Sequence, residues 1–217
     1  MTDATEKPVR QGQAYKRAAI LSAARELFVQ GGVERTSMDA IAARAEVSKR
    51  TVYDYYGDKR RLLLGVVEEA GEAALTALRR LIEQHLSDEA VERSGLEGAL
   101  ARFATDLGGS LLASSEYAAA VRLIVENESL LPELEDHPLD RAHADALADR
   151  LEHFARVGLL DVDDHELAAD HFHALTTLRA LNEPLRRRAD PERVRQLMTD
   201  GVHAFMRAYG AENDGPR

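Results

Sequence analysis

The chain has 217 residues and a formal net charge of −10, and 45% of its residues are hydrophobic. This length suffices for a small domain and a larger one. The absence of cysteine excludes disulfides and thiolate metal sites. No stretch resembles a signal peptide, and no apolar run approaches the roughly 18 residues of a membrane span, so we expect a cytoplasmic protein without membrane contacts.

The first helix is predicted after a polar, unpatterned tail. Residues 1–13 carry no apolar periodicity and are expected to be disordered. From about Tyr15 to Gln30 the pattern changes to helical spacing, and Gly31 and Gly32 end the helix. Its apolar face consists of Ile20, Leu21, Ala24, Leu27 and Phe28.

Two short helices joined by a tight turn are predicted next, over Thr36 to Gly57. Thr36 is positioned to cap the first of them, with Asp39 completing a capping box. Ser48 is positioned to cap the second, which ends at Gly57. This arrangement indicates a helix-turn-helix motif at about residues 37–56.

The outer surface of the second short helix concentrates cations and phenols. Three tyrosines occupy four positions, and the core of a small domain absorbs only one or two of them. A helix with cations at its N-terminal end is suited to insertion into the DNA major groove. A solvated helical hairpin with incidental charge is the alternative interpretation, and the aromatic residues weigh against it.

The segment AILSAARELFVQGGVERTSMDAIAARAEVSKRTVYDYYGDKRRLL, within residues 14–74, resembles the DNA-binding domain of tetracycline-repressor (TetR) family regulators. Two positions depart from the family pattern. Glu46 stands where the turn usually has glycine, and Arg50 replaces a small or neutral residue. The DNA contacts that the motif and the resemblance imply are Thr36, Ser37, Ser48, Lys49, Arg50, Thr51, Tyr53, Tyr55 and Lys59.

Charge is segregated along the chain in the way that a DNA-binding protein requires. Residues 1–61 contain 12 Lys and Arg against 8 Asp and Glu, a net charge of +4. Because the whole chain has a net charge of −10, residues 62–217 have a net charge of −14. The acidic part is therefore expected to face away from the duplex.

The whole chain is predicted to be all-α, with about nine helices. The N-terminal three-helix DNA-binding domain spans 14–74, and a larger C-terminal helical domain spans 75–217. Beyond a long fourth helix over 58–86, a polar connector is expected at 87–93 and a capping box at Ser94 and Glu97. A continuous eighth helix is expected from a cap at Asp163 to about Arg187, and the ninth ends at Gly210.

The last two predicted helices have apolar stripes at helical spacing. Such a pair can simply close the core of one chain. The family resemblance instead implies a homodimer, because a twofold axis sets the spacing of two recognition helices. The expected interface residues are Leu178, Leu181, Leu185, Leu197, Val202 and Phe205.

The resemblance also implies that the larger domain binds a small-molecule effector. Apolar residues on the helices of this domain could line such a pocket, but ordinary core packing explains each of them as well. The sequence offers Arg122, Glu126 and Asn127 as polar anchors, although the first two also fit a plain surface pair. The candidate pocket residues are Phe103, Leu107, Leu111, Tyr117, Val121, Ile124, Phe172 and Thr176.

Other functional classes have weaker support in the sequence. No nucleophile elbow, phosphate-binding glycine loop or HExxH motif is present, so we expect neither an enzyme nor a cofactor. Among the eight histidines, His171 and His173 diverge on a helix and form no chelating pair. We therefore predict a DNA-binding regulator, most simply a dimeric repressor released by a small molecule. An effector-independent architectural protein and a metal-responsive regulator remain alternatives.

Overall fold

The computed structural model describes residues 6–134 and 137–211, apart from the side chains of residues 6–11, 112, 139–141, 185 and 188. The predicted all-α fold is confirmed for these residues, which form nine main helices. They are α1 (Glu6–Gly31), α2 (Met38–Arg44), α3 (Lys49–Tyr56), α4 (Lys59–Leu86), α5 (Asp88–Ala113), α6 (Ser115–Glu126), α7 (Pro138–Arg156), α8 (His165–His173) and α9 (Pro191–Tyr209). No helix in this part of the chain is long and apolar enough to cross a membrane.

Shorter helical segments complete the chain. Two 3-10 turns, Glu128–Leu130 and Pro132–Leu134, follow α6. Helix α8 continues into a π-helical turn, Ala174–Leu178, and a last α-helical turn, Arg179–Leu181. A four-residue helix, Leu185–Arg188, precedes α9.

The first helix begins earlier than predicted. Helix α1 starts at Glu6, inside the tail that was expected to be disordered over residues 1–13. Residues 1–5 lie outside the described residues.

The predicted connector at 87–93 is wrong, because residues 88–93 are helical. Ser87 is the N-cap of α5, and its hydroxyl accepts a hydrogen bond from the amide of Ala90. Ser94, the expected cap, instead donates to the carbonyl oxygen of Ala90 at 2.8 Å. The helix is interrupted at Gly95, whose φ of 70° is readily available only to glycine.

The predicted eighth helix differs from the structure in its cap and its continuity. Asp164, one residue after the expected Asp163, accepts a hydrogen bond from the amide of Leu167 at 2.9 Å. The π-helical turn then interrupts the α-helical pattern. Gly201 of α9 faces this turn so closely that a β-carbon at Gly201 would lie 2.3 Å from the carbonyl oxygen of Leu175.

The chain divides into two compact units. The N-terminal unit comprises Met1–Gly71 and Glu116–Glu135, and the larger unit comprises Glu72–Ser115 and Asp136–Arg217. Residues 116–135, which the sequence analysis assigned to the C-terminal domain, thus belong to the N-terminal unit. Leu123 and Leu131, only 1% and 3% exposed, are part of its hydrophobic core.

The larger unit has its own core, formed by α5, α7, α8, α9 and the end of α4. Leu197, Val202 and Phe205 belong to this core, and the last two have no exposed surface. Each of these side chains is packed inside its own chain, and their role as dimer contacts stays a prediction. This burial favours the alternative interpretation, closure of the monomer core, for this face of α9.

Candidate nucleic-acid interface

The helix-turn-helix motif is held at its two N-caps by serines. Ser37, not the predicted Thr36, caps α2, and its hydroxyl accepts a hydrogen bond from the amide of Ala40 at 3.1 Å. Ser48 caps α3 as predicted, with its hydroxyl 3.0 Å from the amide of Thr51. The hydroxyls of Ser48 and Thr51 also share a hydrogen bond of 2.8 Å.

The Thr36 side chain faces inward. Its hydroxyl donates to the carbonyl oxygens of Gly32 at 2.8 Å and Leu27 at 3.2 Å, and the residue is 8% exposed. The hydroxyl therefore closes the turn after α1, and the contact of Thr36 with DNA stays a prediction that this inward orientation disfavours. Ser37 remains exposed beside it.

The turn between α2 and α3 has a left-handed residue at the position where the family pattern usually has glycine. Glu46 has φ of 54°, in the left-handed region where a side chain is disfavoured, and is the one described non-glycine residue with positive φ. The amide of Val47 donates to the carbonyl oxygen of Ala42 at 3.0 Å, which closes the turn.

Two residues of α3 pack it against the rest of the N-terminal unit. Val52 is fully buried, and Tyr56 is partly buried against the same core. Gly65 of α4 makes room for the Tyr56 ring, since a β-carbon there would lie 2.9 Å from a ring carbon. Burial raises the pKa of the Tyr56 phenol, and the neighbouring Arg17 partly offsets this effect.

The outward face of α3 presents Arg50 and Tyr53. The Arg50 side chain is 90% exposed, and its nearest carboxylate, that of Asp54, lies 3.8 Å from its Nε. Tyr53 is 43% exposed. Both side chains are therefore accessible to a DNA duplex. An arginine at this position can bind a guanine edge in the major groove.

Lys49 is also on this surface but already has a partner. Its ammonium lies 2.8 Å from one carboxylate oxygen of Asp39 in α2, and 6.0 Å from the centre of the Tyr53 ring. The hydrogen bond to Asp39 raises the pKa of Lys49, so the lysine stays charged.

Tyr55 and Lys59 make contacts within the protein that the sequence did not suggest. The Tyr55 hydroxyl donates to the carbonyl oxygen of Gln13 at 3.3 Å. The Lys59 ammonium donates to the carbonyl oxygens of Glu34 at 2.8 Å and Thr36 at 3.1 Å. Both side chains thus position the motif.

Sequence reasoning missed the role of acidic partners in this unit. Asp39 was interpreted only as part of a capping box, whereas it binds Lys49. The signal available in the sequence was that residues 37–56 contain as many acidic as basic side chains, three of each. The guanidinium of Arg60 in α4 binds both carboxylate oxygens of Glu133, at 2.6 and 2.7 Å, and no local pattern could have paired these residues.

The predicted pocket residues fall into the two units. In the larger unit, Phe103, Leu107, Phe172 and Thr176 are buried core residues, with the rings of Phe103 and Phe172 centred 6.0 Å apart. The Thr176 hydroxyl donates to the carbonyl oxygen of Phe172 at 2.6 Å. Core packing accounts for these four residues.

The other four candidates have more varied environments. Leu111 is partly buried against the core of the larger unit. On α6, in the N-terminal unit, Ile124 packs against the core, Val121 is 39% exposed, and burial raises the pKa of Tyr117. Arg122 and Glu126, two of the three candidate polar anchors, form an ion pair on the surface, with 2.7 Å between Nε and Oε1. A surface pair was the alternative interpretation of these two residues.

The remaining candidates for a dimer contact lie after the core part of α8. Leu178 is 44% exposed, and Leu181 is partly buried. The side chain of Leu185 lies outside those described. Leu167, at the start of α8, is also 47% exposed.

No group of three or more His, Cys, Asp or Glu side chains is placed to hold a metal among the residues that the structure describes. His171 forms a hydrogen bond with the Tyr209 hydroxyl. Burial lowers the pKa of His173.

Comparison with known proteins gives matches to both parts of the chain. The family of bacterial regulatory proteins named tetR matches residues 20–66, and the C-terminal domain of AefR-like transcriptional repressors matches residues 98–211, more than half of the chain. The HTH-type transcriptional repressor Rv3405c of Mycobacterium tuberculosis is 34% identical over 93 residues, 43% of this chain and 46% of the repressor. The chain thus aligns with less than half the length of this curated relative.

Two solved structures resemble the chain over most of its length. A TetR-family transcriptional regulator from Mesorhizobium loti has 26% identity and a TM-score of 0.76, covering 92% of this chain and 98% of its own. The flavonoid-responsive regulator FrrA also has 26% identity, with a TM-score of 0.63, covering 91% of this chain and 98% of its own.

Proposed function

Because this chain belongs to the TetR family of transcriptional regulators and carries an AefR-like C-terminal domain, we propose that it is a repressor that binds a palindromic operator as a homodimer and is released by a small molecule. As a member of this family it is a DNA-binding transcriptional regulator, not an enzyme. The operator, the dimer and the effector are the parts that we infer.

The observation that carries operator binding is the exposed face of α3. Arg50 extends from the first turn of this helix with 90% of its side chain exposed, and Tyr53 lies one turn further on. Arginine can donate two hydrogen bonds to the O6 and N7 atoms of guanine, while a phenol can donate to phosphate. The helix therefore offers one group for base recognition and one for positioning.

The proposed dimer is supported by exposed leucines on the α8 segment. Leu167 and Leu178 are 47% and 44% exposed, although buried residues such as Ala169 and Phe172 anchor the same segment in the core. One motif makes few base contacts, and two motifs related by a twofold axis read two half-sites about 34 Å apart. A palindromic operator follows from that symmetry.

The proposed effector is supported by the likeness of 91% of this chain to FrrA, which is described as flavonoid-responsive. The larger unit, which the AefR-like match covers in large part, is the proposed binding region. An effector that prefers a conformation with low DNA affinity weakens operator binding by the ratio of its two affinities, and DNA weakens effector binding equally.

The test begins with selection of bound DNA from fragmented genomic DNA. We expect a palindromic site, one dimer bound per site, and a preference for this site over shuffled sequence of at least about a thousandfold. A screen of small molecules for thermal stabilisation then supplies effector candidates, which should release the protein from the site. Recovery of sequences without a common site would contradict the operator proposal. Stabilising molecules that leave the operator affinity unchanged would contradict the effector proposal alone.

A further inference from the structure

An ion pair joins the two helices of the DNA-binding motif at their N-terminal ends. Asp39 lies in the first turn of α2, and Lys49 is the first residue of α3. The lysine ammonium lies 2.8 Å from Oδ1 and 3.0 Å from Oδ2 of the aspartate, so both carboxylate oxygens are engaged.

The surroundings of the pair restrict where the ammonium can lie. The Tyr53 ring, one turn along α3, is centred 6.0 Å from it, and a ring face attracts a cation at this distance. The side chains of Lys49 and Asp39 remain 58% and 64% exposed. Exposed ion pairs are weak, so a strong competitor for the ammonium can open this one.

DNA supplies such competitors in two forms. Phosphate oxygens are present beside every base pair and carry no sequence information. Guanine edges are present only at particular positions, and reading them requires a donor held at a defined place. A lysine on a flexible stem, without a partner, binds whichever phosphate it reaches.

We propose that Asp39 is a specificity-determining residue that acts through Lys49, by keeping the ammonium beside the Tyr53 ring and away from non-specific phosphate contacts. The carboxylate also opposes phosphate directly, because it adds a negative charge at the edge of the recognition surface. Complexes with non-specific DNA depend almost entirely on phosphate contacts. Asp39 therefore weakens them more than it weakens the complex with the operator. The inference rests on the proposed function, since it needs an operator to be preferred.

Asp54 provides a matched control on the same surface. It lies on α3, is 66% exposed, and has one oxygen 3.8 Å from Nε of Arg50. Asp39→Asn and Asp54→Asn therefore change the net charge equally and nearly preserve side-chain shape. They differ in that only Asp39 engages its cation with both carboxylate oxygens.

The experiment measures the affinity of wild type, D39N, D54N, K49A and the double variant D39N/K49A. Each is titrated by fluorescence anisotropy at 50 and 200 mM salt, with a genomically selected operator and with a shuffled duplex of the same length. D39N should bind the shuffled duplex more tightly, and its operator preference should fall. If the released Lys49 makes one more phosphate contact, the affinity of D39N for the shuffled duplex should fall about threefold more than that of wild type between these salt concentrations.

The controls separate a role through Lys49 from a general charge effect. D54N should strengthen binding to both duplexes by similar factors, and D39N should have no larger effect than D54N once Lys49 is alanine. The inference is overturned if D39N behaves as D54N does, or if the effect of D39N remains larger than that of D54N in the K49A background. Wild-type protein that binds the two duplexes equally would overturn the proposed function together with this inference.

Discussion

The ammonium group of Lys59, at the first residue of α4, lies 2.8 Å from the carbonyl oxygen of Glu34 and 3.1 Å from that of Thr36. It thereby closes the turn between α1 and α2. An ammonium has three N–H groups, so one remains for a DNA phosphate. This lysine thus combines a structural role with the expected contact to DNA.

We predict that Lys59→Ala lowers the free energy of unfolding by about 1–3 kcal/mol, because two carbonyl groups lose a charged donor. It should also weaken binding to all DNA sequences alike and reduce the salt slope by about one. Urea denaturation and DNA titration measure the two effects. Weakened DNA binding with unchanged stability would show that the contacts to Glu34 and Thr36 contribute nothing.

Arg50→Ala should have the complementary effect. The side chain is 90% exposed with one distant carboxylate, so the free energy of unfolding should change by less than about 0.5 kcal/mol. If the arginine binds a guanine edge, its loss should cost about 1–3 kcal/mol of binding free energy and relax the preference at one base pair. Titration against operators substituted at each position measures this. A uniform loss across all of them would assign Arg50 to phosphate instead.

Glu46→Gly should stabilise the protein by about 0.5–1 kcal/mol. The φ of 54° at Glu46 disfavours a residue with a β-carbon, and glycine relieves this strain at some cost in unfolded-state entropy. Ala73→Gly, at an exposed position within α4, should have the opposite sign and destabilise by about 1 kcal/mol. Urea midpoints of the two variants test the comparison, and equal signs would contradict it.

Local signals in the sequence predicted much of the fold and of the interface. The cap of α3 at Ser48 and its end at Gly57 depend on residues within a few positions of each other. The predictions that failed depended on partners distant in the chain. Thr36 and Ser37 are both plausible caps by type, and only the position of the Leu27 and Gly32 carbonyls decides which hydroxyl faces inward.

The difference between local signals and distant partners also explains why the surroundings of α9 and α6 were not predicted. Val202 and Phe205 have the spacing of an interface stripe, and that spacing is identical for a core stripe; burial within the chain assigns them to the core. The pairing of Arg60 with Glu133 spans 73 positions. No periodicity in the sequence could show that residues 116–135 join the N-terminal unit.

The stability of the larger unit should depend on pH through Glu183. This buried carboxylate accepts hydrogen bonds from Arg193 at 2.7 Å and Arg179 at 3.3 Å, and they hold its pKa below the ordinary value for glutamate. A carboxyl group whose pKa is lower in the folded than in the unfolded protein stabilises the fold above the unfolded pKa, and this is lost as pH falls through the folded pKa.

Wild type should therefore be more stable than Glu183→Gln at pH 7, and the difference should shrink below about pH 4.3. Urea denaturation at pH 7, 5 and 3 measures it. Glu192→Gln is the control, because Glu192 also pairs with an arginine, Arg195, but its side chain is 71% exposed. Its effect at pH 7 should be smaller. A difference between wild type and Glu183→Gln that stays constant with pH would contradict the prediction.

Leu178→Glu should convert the proposed dimer into folded monomers. The leucine is 44% exposed within one chain, so a charge there is tolerated by the monomer but not by an apolar interface between two copies. Sedimentation velocity and circular dichroism at micromolar concentration should show a smaller species with unchanged helix content. Val125→Glu, at a 74% exposed position of α6, should remain dimeric. Val202→Glu should fail to fold instead, because its side chain is fully buried in its own chain. A wild-type protein that sediments as a folded monomer would contradict the dimer itself, whereas a Leu178→Glu variant that stays dimeric would place the interface on a different surface.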